Sequence, residues 1–204
     1  MNKILFFILI FSAACRADVC DELYAKNKVR WEKNDNMKLC KQAIEGDADA
    51  QFDLAGWYKL EEKKTDETLK WLLKSVDQGC AKSQFVAGLM YYDGADVEAD
   101  WYKAVDLMKK AAESGVPQAQ YMMGYFYFYG YGTAQNDEKA IELFKMAAKN
   151  QDAKAFRLLS TIYEEGDGVP VDKEKAKFYS AQVKMAEIVT AAVHNTYPCD
   201  RYRN

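Results

Sequence analysis

The sequence repeats a block of about 36 residues, and this period constrains the fold more than any other feature. A small residue marks the same place in each block, at Ala50, Ser83, Ala119 and Ala155. A glycine follows eleven residues after each of the last three, at Gly94, Gly130 and Gly166. Periods of this length are typical of stacked helix pairs, because a single pair cannot bury its apolar face alone. The sequence therefore predicts an all-α fold, a right-handed α-solenoid of antiparallel helix pairs.

The third block shows why each half of the unit should form a helix. Ala119, Met123 and Tyr127 recur at a spacing of four residues, which places them on one face of a helix. Gly124 is small where a neighbouring helix must approach closely, and Gly130 can take the left-handed conformation that ends a helix. The block thus predicts a first helix that ends at a glycine and a second helix that packs back on it.

A polar residue stands at the start of each second helix, at Asp100, Asn136 and Asp172. Asp and Asn side chains accept hydrogen bonds from the free amides of a first helical turn, which makes them favoured N-caps. We therefore interpret these residues as helix caps and not as catalytic acids. The loop glycines are likewise spaced for helix ends and not for a phosphate-binding loop.

The first 17 residues have the layout of a secretory signal. Lys3 precedes an apolar run over residues 4–11, which is too short to span a bilayer. Small residues after that run favour a cut before Asp18. Lipid attachment at Cys15 and an uncleaved anchor stay open as alternatives. The sequence thus predicts a periplasmic or secreted protein.

The charge balance is acidic and excludes one class of partner. Removal of the signal would lower the number of basic residues from 28 to 26 beside 31 acidic ones, a net charge of −5. Nucleic-acid-binding domains are usually basic, with the charge gathered in patches. We therefore expect no nucleic acid, and an acidic surface favours a protein partner with a basic rim.

Four cysteines remain after the signal, at Cys20, Cys40, Cys80 and Cys199. An even number in an exported chain favours disulfides. Cys20 and Cys40 should lie on the two antiparallel helices of the first pair, which favours a bridge between them. A bridge from Cys80 to Cys199 follows by elimination, with free thiols as the alternative. No pair has C-x-x-C spacing, so the sequence predicts neither a zinc site nor a thioredoxin-like site.

The period also divides the chain into regions. The first repeat is three residues short and lacks the loop glycines, so its turn should be tighter. The last second helix is long and should continue as a capping helix. The predicted regions are a signal peptide over 1–17, an N-terminal capping helix pair over 18–46, four repeats over 47–79, 80–115, 116–151 and 152–187, and a helix end with a tail over 188–204.

The second and third blocks resemble the Sel-1-like repeat family, whose members are relatives of the tetratricopeptide repeats. The matching positions are Gly88, Tyr91, Gly94, Asp100, Lys103, Ala104, Ala111, Ala112 and Gly115, then Gly124, Tyr127, Gly130, Gly132, Lys139, Ala140, Ala147 and Ala148. The resemblance covers about residues 38–186 and departs from the pattern at Ala55, Thr68 and Gln151. It implies a scaffold that binds a protein, with an envelope adaptor, a secreted factor acting on a host and a toxin-neutralising immunity protein as candidate roles.

In solenoids of this kind the first helix of each pair lines the concave surface, which identifies candidate contact residues. Aromatic side chains give a binding surface large contact area with few torsions to freeze. The predicted groove residues are Phe52, Trp57, Phe85, Leu89, Tyr92, Tyr121, Tyr125, Phe128 and Arg157. Several of these could instead fill the seams between repeats. Trp101 and Tyr102 are expected at the convex edge or in a loop, as a second contact patch.

Catalysis has little support in the sequence. His194 is the only histidine, so no Ser/His/Asp set or histidine-based metal site can be assembled around it away from the last helix. We expect no enzyme, no cofactor and no metal. Weak β-lactam binding or hydrolysis, which the resemblance to exported cysteine-rich members implies, is the alternative from a different class.

Overall fold

The fold is all-α throughout the part of the chain that this computed structural model describes, which is residue 20 and residues 33–62, 65–94 and 96–193. Nine α-helices lie in these residues. They are α1 (Lys33–Glu45), α2 (Ala48–Trp57), α3 (Thr65–Asp77), α4 (Ala81–Asp93), α5 (Trp101–Glu113), α6 (Pro117–Tyr129), α7 (Asp137–Lys149), α8 (Ala153–Glu165) and α9 (Lys173–Val193). The predicted α-solenoid of helix pairs is confirmed.

The chain divides into two compact units, residues 1–78 and 79–204. In the first unit, Asp47 caps α2 by accepting a hydrogen bond of 2.7 Å from the backbone amide of Ala50. Helix α2 runs directly into a π-helical turn, Tyr58–Glu62, and α3 begins at Thr65. The connection between the two helices of this pair is therefore short, as the missing loop glycines predict.

The second unit consists of three helix pairs, α4 with α5, α6 with α7 and α8 with α9. A small residue lets the two helices of each pair approach closely, at Gly88, Gly124 and Ser160. A Cβ atom added to Gly124 would lie 2.6 Å from Cε1 of Phe144, and one added to Gly88 would lie 3.1 Å from the Met108 side chain. In the last pair the Ser160 hydroxyl donates a hydrogen bond of 2.9 Å to the carbonyl of Ala176.

The predicted caps are confirmed in all three pairs of the second unit. Asp100, Asn136 and Asp172 each accept a hydrogen bond from the backbone amide three residues later, at 3.0, 2.9 and 3.0 Å. The first helices end in left-handed glycines, as predicted, with φ of 65° at Gly94, 73° at Gly130 and 85° at Gly166. These residues are therefore committed to helix ends.

Each cap is followed by a lysine that lies over a tyrosine of the preceding helix. The Nζ atom is 5.1 Å from the ring centre for Lys103 over Tyr91 and for Lys175 over Tyr163. It is 5.3 Å for the third pair, in which Lys139 lies over Tyr127. Because this contact recurs with the period, we interpret these three tyrosines as part of the scaffold and not of a partner surface.

One expectation for the first helix of the third repeat needs correction. Ala119 and Met123 are buried as predicted, but Tyr127 is only half-buried. The residue that fills the core there is Phe126, which is 1% exposed. A helical turn takes 3.6 residues, so a position seven residues after Ala119 lies nearer its face than one eight residues after it.

The last helix and the two terminal regions complete the fold. Helix α9 is a single helix of 21 residues, so the expected capping extension is continuous with the last second helix. The signal peptide, residues 18–19 and 21–32 of the N-terminal cap, His194, Cys199 and the tail lie outside the described residues. Among the helices described, none is both long and apolar enough to cross a membrane.

Candidate partner-binding surface

Seven aromatic side chains lie side by side in the second unit. Their rings are linked by contacts within α6, between α6 and the α6–α7 loop, and between that loop and the start of α5. Every member is half-buried or exposed. We call this set the aromatic face, and it comprises Tyr92, Trp101, Tyr121, Tyr125, Phe128, Tyr129 and Tyr131.

The centre of the aromatic face is a group of three tyrosines. The ring centres of Tyr125 and Tyr129 are 4.5 Å apart, and each lies 5.8 Å from the centre of Tyr131 in a stacked arrangement. Tyr125 and Tyr129 are four residues apart and therefore adjacent on α6. Rings that hold each other in this way present a large contact area that loses little conformational freedom when a partner binds.

The α6–α7 loop brings Tyr131 to this position. Gly130 and Gly132, on either side of the tyrosine, both have left-handed backbone conformations, with φ of 73° and 64°. A Cβ atom added to Gly132 would lie 2.9 Å from Cγ2 of Val105, so the loop packs tightly on α5. Tyr131 is thereby placed edge-on to Trp101, with ring centres 5.1 Å apart.

The predicted groove residues of the second unit have different environments. Tyr92, Tyr121, Tyr125 and Phe128 belong to the aromatic face and are half-buried. They also pack against the interior of the repeats. Each side chain therefore has one part that fills the seam between repeats and another part that is exposed, as the groove interpretation predicts. Phe85 and Leu89 pack against the core that α4, α5 and α6 share. Arg157 is exposed and pairs with Glu187 of α9.

Two tryptophans differ from expectation. Trp101 does not form a separate patch with Tyr102, because its ring lies 5.6 Å from Tyr92 and joins the aromatic face. Trp57 belongs to the first unit, is 9% exposed and packs edge-on against Tyr58 at 5.1 Å. A side chain as buried as Trp57 has little exposed surface for a partner to contact. We therefore assign Trp57 to the core of the first unit and not to the contact surface.

Two members of the aromatic face were not among the predicted contact residues. Tyr129 is 49% exposed at the last position of α6, and Tyr131 lies in the loop after it. The signal that identifies them is the run of aromatic residues that continues past the helix-ending Gly130. Helical spacing alone could not place Tyr131, because its position depends on how the loop packs against α5.

Two phenols of the aromatic face have raised pKa values. Burial raises the pKa of Tyr121, and the carboxylate of Asp152 and the neighbouring tyrosines raise it further. Burial, followed by Tyr92 and the other tyrosines nearby, also raises the pKa of Tyr125. Both phenols therefore stay protonated at neutral pH and can donate hydrogen bonds to a partner.

The described residues offer little for catalysis or metal binding. Within them, no group of three or more His, Cys, Asp or Glu side chains could hold a metal ion. Asp152 is a buried carboxylate whose pKa is raised by burial, but its side chain accepts a hydrogen bond of 2.8 Å from the amide of Ala155 and so caps α8. Its role is accounted for by the helix that it begins.

The cysteines are placed as far as the described residues reach. The Cα atoms of Cys20 and Cys40 are 5.8 Å apart, a separation that disulfides span, and both side chains are buried. This geometry is compatible with the Cys20–Cys40 bridge, which stays a prediction. Cys80 is buried at the N-cap of α4, and its predicted partner Cys199 lies outside the described residues.

Solved structures with the same architecture include a protective antigen present in uropathogenic Escherichia coli strains, which has the SLR fold. The antigen is 30% identical to this chain, with a TM-score of 0.70. The match covers 72% of this chain and 32% of the antigen, so this chain spans about a third of the antigen's length. A Sel1 repeat protein from Oxalobacter formigenes is 35% identical with a TM-score of 0.57, over 59% of this chain and 93% of that one. An immunity protein from Pseudomonas aeruginosa shares the fold at 21% identity and a TM-score of 0.51, over 80% of this chain and 64% of that one.

Among curated proteins, none matches this chain. The family model described as the Sel1 repeat matches four consecutive segments, residues 48–80, 81–116, 117–152 and 153–182. These segments contain the helix pairs that the 36-residue period predicts, and the last three include the glycine ends and capping residues. The chain therefore belongs to the Sel1 repeat family.

Proposed function

We propose that this protein is an exported, non-enzymatic interaction module that binds a protein partner through the aromatic face. The Sel1 repeat solenoid is a protein-interaction fold, which supports the general class. The observation that supports this particular surface is the set of seven contiguous aromatic rings, with Trp101 40% and Tyr129 49% exposed. Tyrosine and tryptophan are the residues that most often dominate binding at the centre of an interface.

The lack of charge along the same surface adds support. Helix α6 contains no charged residue in its whole length, and the loop 130–136 contains none either. The cores of protein interfaces are depleted of charge and enriched in aromatic residues in the same way. Helix α6 is thus suited to the centre of an interface.

The proposal is tested by site-specific cross-linking in envelope extracts. A photo-reactive residue at Tyr102, beside the face and 81% exposed, should capture a discrete partner that mass spectrometry identifies. The double variant Tyr125→Ala/Tyr129→Ala should reduce that capture at least about tenfold, because it removes two central rings.

The fourth repeat provides the matched control. Thr161 and Glu165 of α8 occupy the places 36 residues after Tyr125 and Tyr129. Thr161→Ala/Glu165→Ala should leave capture unchanged, and circular dichroism should show that both double variants are folded. Equal capture by the Tyr125→Ala/Tyr129→Ala variant and the wild type would argue against the aromatic face.

Export is the part of the proposal supported by the N-terminal sequence. The apolar run over residues 4–11 and the four cysteines that follow the signal support a periplasmic or secreted location with disulfides. The mass of the protein recovered from the periplasm or medium should correspond to a chain that begins at Asp18. A lipid-modified N-terminus at Cys15 would instead support a lipoprotein, and a full-length mass would contradict cleavage.

Neutralisation of a toxin is a narrower form of the same proposal. The likeness to the Pseudomonas aeruginosa immunity protein concerns the fold alone, so this role depends on which partner the cross-link captures. A secreted toxin as that partner would support it. The β-lactam alternative is tested by incubation of the purified protein with a chromogenic β-lactam, where turnover that persists through purification would contradict a purely binding role.

A further inference from the structure

The aromatic face is bordered on one side by an acidic loop. Residues 93–100 comprise the last residue of α4 and the connection to α5, and they contain Asp93, Asp96, Glu98 and Asp100 but no basic residue. The loop closes on itself, because the amide of Asp100 donates a hydrogen bond of 2.9 Å to the carbonyl of Tyr91. Both ends of the loop therefore lie beside rings of the face, with Asp93 next to Tyr92 in sequence and Asp100 next to Trp101.

The nearest basic residue is already engaged. Lys103 forms an ion pair of 3.2 Å with Asp100 and lies over the ring of Tyr91. Four acidic residues stand beside this one lysine, so the border of the face carries net negative charge. Asp93 and Glu98 are exposed, so their carboxylates are accessible to a partner.

The other repeats show that this combination is particular to one end of the face. In the third repeat the corresponding loop, residues 130–136, carries no charge. In the fourth repeat the loop 166–172 contains Asp167 and the capping Asp172, but the helix before it carries Glu164 and Glu165 where α6 carries Phe128 and Tyr129. Aromatic rings and an excess of acidic over basic residues thus come together at Tyr92 and Trp101.

We propose that the aromatic face binds an extended protein segment that presents an arginine side chain against Trp101 and Tyr131, within reach of Asp93 and Glu98. This inference rests on the proposed function and specifies the chemistry of the partner. A guanidinium group stacks on aromatic rings through its planar face and donates paired hydrogen bonds to carboxylates at its edge. A tyrosine and tryptophan surface with carboxylates along one border suits both properties together.

Selection from a random peptide library tests the chemistry without knowledge of the natural partner. Twelve-residue peptides displayed on phage are selected on the full chain after depletion on the Tyr125→Ala/Tyr129→Ala variant. The selected peptides should be enriched in arginine relative to the unselected library. Replacement of that arginine by the neutral isostere citrulline in a synthetic peptide should weaken binding about tenfold in fluorescence polarisation.

Matched charge variants locate the carboxylates. Asp93→Asn/Glu98→Gln should weaken the arginine peptide about fivefold and leave the citrulline peptide unchanged. The control Glu165→Gln/Asp167→Asn makes the same change in the fourth repeat and should alter neither peptide.

The possible results separate this inference from the proposed function. Selected peptides that depend on the tyrosines but lack arginine, or bind equally well with citrulline, would overturn the arginine inference and support the aromatic face. Failure to select any peptide that depends on the tyrosines would overturn both. The control variant could also weaken binding of the arginine peptide as much as Asp93→Asn/Glu98→Gln does. That result would overturn the assignment of the arginine contact to carboxylates of residues 93–100.

Discussion

The third and fourth repeats share an interior plan but present different surfaces. On α6, the outward positions carry Tyr121, Tyr125 and Tyr129, whereas the positions 36 residues later on α8 carry Arg157, Thr161 and Glu165. Inside the pairs the correspondence is close, with Ala119 and Ala155 both fully buried and both first helices ended by a left-handed glycine. The difference therefore lies in side chains at the margin of the core, which differ between repeats while the interior stays the same, and this is where we propose the function.

The second repeat is intermediate between these two. It carries the half-buried Phe85, Leu89 and Tyr92 on α4, but Asp93 where α6 has Tyr129. The apolar surface is thus most extensive on α6 and gives way to polar and charged side chains on α8. This difference between equivalent positions is the reason we propose a binding site centred on α6.

The largest expected effect of a single change on stability concerns the packing of the third repeat. In Gly124→Ala the new Cβ would meet the rigid ring of Phe144 at 2.6 Å, and overpacking of this kind costs about 1–3 kcal/mol. The better helix propensity of alanine offsets part of this loss. We expect the free energy of unfolding to fall by about 1–2 kcal/mol, measured by urea denaturation.

Two equivalent positions serve as controls for that prediction. Gly88→Ala should be close to neutral, because the contacting atoms at 3.1 Å belong to the flexible side chain of Met108. Ser160→Ala should lose only the hydrogen bond to Ala176, about 0.5–1.5 kcal/mol. Equal losses for Gly124→Ala and Gly88→Ala would show that Phe144 does not make the third repeat tighter.

The period predicted the scaffold well because local chemistry determines its elements. Glycine at Gly130 and an N-cap at Asn136 act through their own backbone and the next three residues, so spacing is enough to identify them. The aromatic face depends on contacts between elements. Trp101 belongs to it through a ring contact with Tyr92 and another with Tyr131, and neither follows from the periodicity of one helix.

Trp57 illustrates the opposite error. Its position near the end of a first helix suggested a groove residue, but α2 continues into the π-helical turn Tyr58–Glu62. A π-helical turn changes the angle between successive side chains, so the residues after Trp57 no longer follow a 3.6-residue period. Trp57 itself is buried within the first unit, where it packs against Tyr58.

The next prediction concerns the residue that closes the third repeat. Gln151 has a left-handed φ of 66°, at the place where Gly115 has 86° in the second repeat. A residue with a Cβ atom is strained there by about 1–2 kcal/mol, part of which the greater freedom of glycine in the unfolded chain offsets. Gln151→Gly should therefore raise the free energy of unfolding by about 0.5–1 kcal/mol, with Gln151→Ala as the control that gains nothing.

The second and third repeats each have a buried glutamine, but its hydrogen bonds differ between them. Gln120 donates a hydrogen bond to the carbonyl of Ala112 at 3.2 Å and accepts one from Asn150 at 3.0 Å. The equivalent Oε1 atom of Gln84 is buried with no partner in the described part of the chain. The residue 30 positions after Gln84, where Asn150 stands relative to Gln120, is Ser114.

Ser114→Asn should therefore supply the missing donor to Gln84. One additional hydrogen bond to a buried acceptor is worth about 0.5–1 kcal/mol, and we expect a gain near the lower end because the variant also orders a longer side chain. Thermal unfolding of Ser114→Asn and of Ser114→Ala compares a donor with a side chain that has none. A gain of the same size in both would show that the unpaired oxygen is not the cause.

The smallest expected effect concerns the cap of the third repeat. Hydrogen bonds from the backbone and side chain of Lys103 lower the pKa of Asp100, and those from the side chain and backbone of Lys175 lower the pKa of Asp172. A carboxylate whose folded pKa is lowered stabilises the protein above its unfolded pKa of about 3.9 and loses that contribution as the pH falls through the folded pKa. Asn136 cannot contribute in this way.

Asn136→Asp should therefore add a third pH-dependent cap beside Lys139. We expect a melting temperature higher by about 1 °C or less at pH 7, and the difference from the wild type should shrink as the pH falls and the new carboxylate takes up a proton. The gain is small because the pair is exposed and the neighbouring Asp137 and Glu138 repel the added charge. A difference in melting temperature that is as large at pH 2 as at pH 7 would show that the substituted side chain acts through hydrogen bonding and not through its charge. In that case the caps of the third and fourth repeats would work in the same way, and the two repeats would differ only in their exposed surfaces.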